Sequence, residues 1–272
     1  MGIPIFQVDA FTEQPFSGNP AAVCLPPHLD DEPWMQQVAA EMNVSETAFL
    51  RLRSDGSYDL RWFTPTTELA LCGHATVAVG HILWETHALF PGTPARFHTA
   101  SGLLRADRQD GRIVLDFPAS PPPPEEPPEG LLAALGLDHA DYVGRSRFDL
   151  LVEVDAERAV RDLKPDVARL KALGVRGVIV TAELGQGRID FVSRFFAPGV
   201  GIDEDPVTGS SHCALAPFWA HKLGRTDLVG YQASTRGGVV HCRVVGDRVR
   251  LGGTAVTVLR GELVSSAPRT AD

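Results

Sequence analysis

Two short segments of this sequence place a glycine at the predicted start of an apolar helix, beside side chains that can carry protons or contact an anion. They read Cys72-Gly73-His74-Ala75 and Thr208-Gly209-Ser210-Ser211. A helix start exposes unpaired backbone N–H groups and the positive end of the helix dipole, and a glycine there lets a ligand approach the backbone closely. Both segments are therefore predicted to bind an anion such as a carboxylate, unless their polar residues only cap the helices.

A third candidate is Glu46, in Ser45-Glu46-Thr47, which lies between a predicted helix and a predicted apolar strand. Withdrawal from water favours the protonated form of a carboxylate, which suits a base that takes a proton from one atom and returns it to another. The simpler alternative is an exposed or capping glutamate. We interpret Glu46 as the candidate acid/base.

Three further residues, His74, Cys72 and Asp205, are candidates to assist Glu46. The dipole at the first helix start favours a neutral ring at His74, able to donate or relay a proton, and predicts a lowered pKa for the Cys72 thiol. Asp205 precedes the second glycine and could orient His74 or a substrate amine. Structural roles stay open for all three: a histidine bonded to backbone, a buried core cysteine and a solvated acidic loop.

Sequence motifs for metals and nucleotides are absent. Cysteine and histidine are close together at Cys72/His74, His212/Cys213 and His241/Cys242, but no recurrent ligand spacing appears, so no metal site is expected. Neither a phosphate-binding glycine motif nor a nucleophile elbow occurs. The cysteines are widely spaced and are expected to be reduced thiols. Catalysis is predicted to need no bound cofactor.

The elements that must position these residues are mainly strands in the first half of the chain. Alternating apolar and polar residues predict strands at Ile3–Val8, Thr47–Leu52, Ser57–Phe63 and Arg112–Phe117. Asp55-Gly56 and Asp110-Gly111 predict tight hairpin turns. Helices are predicted at Asp31–Met42 and at Gly73–Trp84, the latter apolar on nearly every face and therefore a buried central helix.

The second half repeats this pattern after a proline-rich segment. Pro118–Pro128 reads PASPPPPEEPP, which favours an extended conformation and predicts a semi-rigid linker. Arg61–Pro65 (RWFTP) is echoed by Arg194–Pro198 (RFFAP), and in each half an acidic loop and an apolar helix follow. We predict two similar domains, at 1–118 and 129–255, joined by a linker at 119–128, although a weak repeat can also arise by coincidence. If the halves are symmetric, both helix starts would face a shared cleft.

Composition excludes several classes of protein. The chain has 272 residues, of which 44% are hydrophobic and 22% charged, with a net charge of −9. These values are typical of a globular protein, and the negative charge disfavours nucleic-acid binding. No apolar run is long enough to span a membrane and the first residues do not resemble a secretory signal, so we expect a soluble, cytoplasmic protein without membrane association.

Four ordered blocks of the sequence resemble the PhzF-like family, which is named for a phenazine-biosynthesis isomerase and is structurally akin to diaminopimelate epimerase. The blocks are Val8-Asp9-Ala10-Phe11 with Gly18-Asn19-Pro20, Ser45-Glu46-Thr47, Phe63-Thr64-Pro65 through Cys72-Gly73-His74-Ala75, and Glu204-Asp205-Pro206 through Thr208-Gly209-Ser210. The resemblance implies an α+β fold of two pseudo-symmetric domains, each a curled, mostly antiparallel, barrel-like β-sheet around a central α-helix. It also implies a homodimer and a final strand at 256–266 that completes the first domain.

The resemblance also implies roles for the candidate residues. Glu46 matches the acid/base that shifts a proton within a dihydro-hydroxyanthranilate, and His74 and Asp205 match residues that line the same pocket. The remaining predicted substrate contacts are Ser45, Cys72, Gly73, Ala75, Thr208, Gly209, Ser210 and Ser211. The epimerases use a thiol at each helix start, whereas here only Cys72 occupies such a position.

The predicted function is that of a cofactor-independent isomerase that moves a proton within a small, carboxylate-bearing, cyclic metabolite. Two alternatives stay open from the sequence. One is an amino-acid epimerase or racemase that uses Cys72. The other is a metabolite-binding or interaction protein that keeps the fold without turnover.

Overall fold

The computed structural model describes residues 2–90, 92–185 and 187–264. In chain order its elements are β1 (Ile3–Ala10), β2 (Asn19–Cys24), α1 (Glu32–Met42), β3 (Glu46–Leu52), β4 (Tyr58–Phe63), β5 (Glu68–Leu69), α2 (Gly73–Glu85), β6 (Ala95–Thr99), β7 (Gly102–Gln109), β8 (Arg112–Pro118), α3 (Leu131–Leu135), β9 (Tyr142–Arg145), β10 (Leu150–Glu153), α4 (Glu157–Arg161), α5 (Val167–Ala172), β11 (Val178–Glu183), β12 (Phe191–Phe196), α6 (Gly209–Leu223), β13 (Asp227–Gln232), β14 (Gly238–Val245), β15 (Arg248–Gly253) and β16 (Ala255–Leu263).

The chain divides into two compact units. One holds the described residues of Met1–Leu115 and Gly252–Asp272, and the other holds those of Asp116–Leu251. The predicted final strand is present as β16, which pairs antiparallel with β1 in the first unit. Residues 265–266, the end of that predicted strand, lie outside the described residues. None of the helices that the structure describes is both long and apolar enough to cross a membrane.

In the first unit the strands follow the order β16-β1-β2-β3-β4-β6-β7-β8. Most neighbours are antiparallel, but β2 pairs with β3 and β4 pairs with β6 in parallel. Helix α2 packs on β1, β2 and β3. Its side chains Val77, Val79 and Ile82 are fully buried, because the helix is apolar around its whole circumference and must be surrounded by sheet.

The hairpins form where Asp-Gly was predicted to turn the chain. Gly56 has a φ of +76° between β3 and β4. Between β7 and β8, Asp110 and Gly111 both have positive φ, at +50° and +78°. The values at Asp110 and Gly111 are those of the two-residue turn that matches the twist of paired strands.

In the second unit the strand order is β15-β14-β13-β12-β11-β10-β9. Strand β10 pairs with β11 and β12 pairs with β13 in parallel. Helix α6 packs on β13 and β14, and its fully buried Trp219 stacks on Phe191 of β12 with ring centroids 6.0 Å apart.

The segment predicted as a linker, 119–128, lies within the second unit and runs along β9. Glu125 N–H donates to the Val143 carbonyl at 3.0 Å, and Arg145 N–H donates to the Pro123 carbonyl at 3.0 Å. The Tyr142 hydroxyl donates to the Pro122 carbonyl at 2.5 Å. Prolines lack an N–H group but keep their carbonyl acceptors, so a proline-rich segment can still be held at a sheet edge.

Candidate active site

Glu46 opens β3 and is withdrawn from solvent. It lies beside Ala21 in the parallel pairing of β2 with β3, and only 6% of its surface is exposed. The predicted burial of this carboxylate at a strand start is therefore confirmed. A parallel strand pair buried beneath α2 leaves little water for the side chain at its start.

His74 lies in the first turn of α2 and faces Glu46. Its Nε2 is 2.8 Å from Oε2 of Glu46, and both side chains are more than nine-tenths buried. The angles of this contact fall outside hydrogen-bond geometry, so neither atom has a hydrogen-bond partner among the residues that the structure describes. A buried donor or acceptor in that state is poised for a further polar partner.

The other ring nitrogen of His74 has two neighbours. The Asn19 side-chain amide is 3.3 Å from Nδ1, and Asn19 is fully buried. The Cys72 sulfur is 3.5 Å from Nδ1. Cys72 is the extended N-cap residue of α2 and makes no side-chain capping bond, which leaves the backbone N–H groups of the first turn uncapped by it.

The electrostatics of this cluster differ from the sequence prediction. Burial raises the pKa of the Cys72 thiol and the nearby Glu46 raises it further, so the predicted lowering is wrong. Burial opposes a charge on His74, but its neighbours Cys72 and Glu46 raise the pKa of His74 well above its usual value. The Glu46 carboxylate at 2.8 Å is a neighbour that favours the imidazolium, and the raised pKa of His74 contradicts the neutral ring predicted from the dipole.

These residues include the ligand types that bind metals. Glu46, Cys72 and His74 each offer a ligand atom within 4.8 Å of the others, the one such group in the described part of the chain. Two ligands of a tetrahedral zinc lie roughly 3.4 Å apart, whereas Nε2 and Oε2 are only 2.8 Å apart. This distance fits a direct contact between the imidazolium and the carboxylate better than a metal ion bound between the two atoms. The expected absence of a metal stays a prediction.

The second unit holds the remaining candidates around the start of α6. The Thr208 hydroxyl donates to Oδ2 of Asp205 at 2.5 Å. Thr208 is the extended N-cap residue of α6 and its side chain makes no capping bond. Gln232, at the end of β13, bonds to both residues. Asp205 and Thr208 are thus brought together as a local unit.

The structure places each predicted residue as follows. Glu46, Cys72 and His74 form one cluster in the first unit; Ser45 directly precedes β3, and Gly73 and Ala75 belong to the first turn of α2. In the second unit Asp205 contacts Thr208, while Gly209, Ser210 and Ser211 form the first turn of α6.

Sequence reasoning missed three residues that contact these candidates. Asn19 had a signal, because it belongs to the Gly18-Asn19-Pro20 block. Arg176 donates to the Ser210 hydroxyl oxygen at 3.1 Å, and Gln232 contacts Asp205. Neither of these two lies in a recognisable motif, because their role depends on packing between distant elements.

Comparison with known proteins establishes the family. The model of the PhzC-PhzF family, described as phenazine biosynthesis-like protein, matches residues 8–261. This chain belongs to the phenazine biosynthesis-like (PhzF) family. An uncharacterized isomerase of Halalkalibacterium halodurans is 51% identical over 97% of this chain and 99% of the relative.

Solved structures agree with the membership of this chain in the PhzF family. A PhzF family protein of Enterococcus faecalis is 41% identical, with a TM-score of 0.92 over 97% of this chain and 100% of that one. A hydroxyproline epimerase of Agrobacterium vitis, at 14% identity and a TM-score of 0.63 over 98% of this chain and 93% of that one, shares the fold alone. The predicted α+β, epimerase-like fold is confirmed. As a member of the PhzF family, this protein is an isomerase.

Proposed function

We propose that this protein is a cofactor-independent isomerase that moves a proton within a small, cyclic, carboxylate-bearing metabolite, with Glu46 as the acid/base. The observation that carries the proposal is the buried contact of Glu46 with His74 at 2.8 Å, beside the start of α2 that Cys72 leaves uncapped. Oε2 of this buried carboxylate has no hydrogen-bond partner among the described residues, and a carboxylate in a water-poor site is a suitable proton acceptor.

The reaction balances without an external oxidant or reductant. The Glu46 carboxylate takes a proton from a ring carbon, and the electron pair of that C–H bond moves into the conjugated system. The resulting negative charge spreads toward the substrate carboxylate. Glu46 then returns the proton to another carbon, so that the double bonds shift and the composition of the molecule is unchanged.

The other predicted site residues are assigned the remaining roles. Backbone N–H groups at 73–75 hold the substrate carboxylate and stabilise the charge that develops during transfer. The charged His74 orients the substrate or relays the proton. Asp205, with the N–H groups at 209–211, orients polar groups of the substrate. We further propose a homodimer that acts in the cytoplasm on a metabolite such as a dihydro-hydroxyanthranilate.

An epimerase that uses Cys72 is the second candidate, because the Cys72 sulfur is 3.5 Å from Nδ1 of His74. Burial raises the pKa of this thiol, which disfavours the thiolate that such an enzyme needs. The isomerase is therefore the better-supported function.

Two substitutions separate these candidates. Glu46→Gln is expected to lower kcat by about 100-fold or more while substrate binding persists, since general acid–base catalysis contributes on this scale. Cys72→Ala is expected to change kcat by less than about threefold in an isomerase but to stop an epimerase, whose chemistry depends on the thiol. Turnover of a dihydro-hydroxyanthranilate, followed by absorbance and mass spectrometry, gives both rates.

Full activity of the Glu46→Gln variant would refute the assignment of Glu46. Loss of activity in the Cys72→Ala variant would favour the epimerase instead. Binding of the probe to the wild-type protein without any product would favour the third reading, a binding protein that keeps the fold.

A further inference from the structure

Gln232 is a fully buried glutamine at the end of β13, and its side chain makes three hydrogen bonds to the segment that carries Asp205. Its Oε1 accepts from the Thr208 backbone N–H at 2.9 Å. Its Nε2 donates to the Asp205 carbonyl at 2.7 Å and to the Thr208 hydroxyl oxygen at 3.1 Å. One side chain therefore contacts both ends of the turn from Asp205 to Thr208.

The two backbone partners fix the orientation of the Gln232 amide. A backbone N–H can only donate and a carbonyl can only accept, so Oε1 must face Thr208 N–H and Nε2 must face the Asp205 carbonyl. The second N–H of the amide group then points to the Thr208 hydroxyl oxygen. Because that oxygen accepts from Gln232, its own hydrogen is directed elsewhere.

The hydrogen of the Thr208 hydroxyl is directed to Asp205. The oxygens are 2.5 Å apart, and a charge-assisted bond of this kind is short and strong. Thr208 occupies the N-cap position of α6, where a threonine hydroxyl ordinarily accepts from a backbone N–H of the first turn, yet it makes no such bond here. The hydroxyl is committed to the carboxylate rather than to the helix.

Ser234, two residues after Gln232, also bonds to this turn. The Ser234 hydroxyl, just beyond β13, donates to the Pro206 carbonyl at 2.8 Å, and its oxygen accepts from Gly237 N–H at 3.0 Å. The turn that carries Asp205 is thus bonded at 205, 206 and 208 to the end of β13 and the residues that follow it. A side chain on such a rigid support keeps one orientation.

We propose that Gln232 is a positioning residue, which sets the direction of the Thr208 hydroxyl and thereby holds the Asp205 carboxylate in the orientation that substrate requires. This inference rests on the proposed function, in which Asp205 orients substrate. Gln232 does not touch the reacting atoms. It acts through Thr208.

The test compares three variants with wild-type enzyme. Gln232→Glu keeps the size of the side chain but removes the N–H groups, so the Thr208 hydroxyl turns toward the new carboxylate. Thr208→Val removes the hydroxyl at nearly constant volume, and Thr208→Ser restores it. Gln36→Glu is the matched control, because Gln36 also donates from Nε2 to a backbone carbonyl, that of Thr64 at 2.9 Å, but belongs to the first unit.

Two readouts follow each variant: kcat and KM with a dihydro-hydroxyanthranilate, and a crystal structure of the free protein. We expect Gln232→Glu and Thr208→Val each to lower kcat/KM roughly 10- to 100-fold, the scale of a misplaced substrate contact. We expect Gln36→Glu to stay within about twofold of the wild type, and Thr208→Ser to recover most of the kcat/KM that Thr208→Val loses, because it restores the hydroxyl. The double variant Gln232→Glu/Thr208→Val is expected to lose no more than the worse single variant, because both substitutions act through one hydroxyl.

The crystal structures test the inference without any substrate. In Gln232→Glu and Thr208→Val the Asp205 carboxylate is expected to leave its present position, and in Thr208→Ser to keep it. An unmoved carboxylate in Thr208→Val, or additive losses in the double variant, would overturn the proposal. Asp205→Asn distinguishes failure of this inference from failure of the proposed function. Wild-type activity in Asp205→Asn would refute the proposed role of Asp205. Lost activity in Asp205→Asn, with none lost in Gln232→Glu, would refute only the role of Gln232.

Discussion

The two nitrogens of the His74 ring face different groups. Nε2 faces the Glu46 carboxylate at 2.8 Å, and Nδ1 faces the Cys72 thiol at 3.5 Å and the Asn19 amide at 3.3 Å. The ring therefore bridges the proposed base and the N-cap residue of α2. Sequence reasoning identified Glu46, His74 and Cys72 as candidates, but it considered only the helix dipole and missed the effects of burial and of the carboxylate on His74 and Cys72.

His212 gives a prediction about acid stability. It is fully buried in the first turns of α6, its Nδ1 lies 2.7 Å from the Thr208 carbonyl, and burial lowers its pKa to about 4. An unfolded histidine has a pKa of about 6.5. Between these two pKa values the unfolded state binds a proton at His212 and the folded state does not. The free energy of unfolding is therefore expected to fall by about 3 kcal/mol as the pH drops from about 6.5 to about 4.

Urea unfolding at several pH values measures this loss. His212→Asn, which keeps a donor for the Thr208 carbonyl without a titratable ring, is expected to flatten the dependence between pH 6.5 and 4. His139→Asn is the matched control, because that side chain is 80% exposed and should leave the slope unchanged. An unchanged slope in His212→Asn would contradict the assignment. The contribution of His74 to stability has the opposite pH dependence. Its pKa is raised in the folded state, so the stabilisation that it gives is lost as the pH rises.

At the scale of elements, the turn between β1 and β2 requires a glycine. Gly18 has a φ of +66°, and a Cβ there would lie 2.1 Å from the Ala10 carbonyl oxygen. Backbone strain of this kind costs of order 1–3 kcal/mol, and the clash with backbone adds to it. Gly18→Ala is therefore expected to lower the free energy of unfolding by more than about 2 kcal/mol and to lower activity, because Asn19 follows directly and contacts His74.

The hairpin glycine between β3 and β4 offers the control for this prediction. Gly56 has a φ of +76°, but a Cβ there would meet nothing within 4 Å. Gly56→Ala should therefore incur only the strain of a left-handed residue, about 1 kcal/mol, with activity retained. Chemical denaturation of both variants measures the difference, and equal losses would refute the steric explanation.

Local sequence patterns predicted many elements well but not their partners. Alternation predicted β1, β3, β4 and β8, and Asp-Gly predicted the hairpins. The parallel pairing of β2 with β3 could not be predicted from any local pattern, because parallel strands are joined by a long crossover rather than by a turn. The short helices α4 and α5 were missed, since one or two turns show too little periodicity to detect.

At the scale of the whole molecule, chain segments far apart in sequence complete each unit. Strand β16 pairs with β1, a return that only the family resemblance implied. Gln232 contacts Asp205 and Thr208 because the end of β13 lies beside the start of α6. Periodicity describes one segment at a time, so these long-range contacts, and with them Gln232 and Arg176, could not be predicted from the sequence.

The central claim is that Glu46 moves a proton between carbons of a bound metabolite. Its most direct test is turnover of a dihydro-hydroxyanthranilate in D₂O, with deuterium located in the product by NMR. The wild-type enzyme is expected to place solvent deuterium at the carbon that receives the proton, and Glu46→Gln to bind the compound but place none. Deuterium incorporation by Glu46→Gln at the wild-type rate would contradict the account.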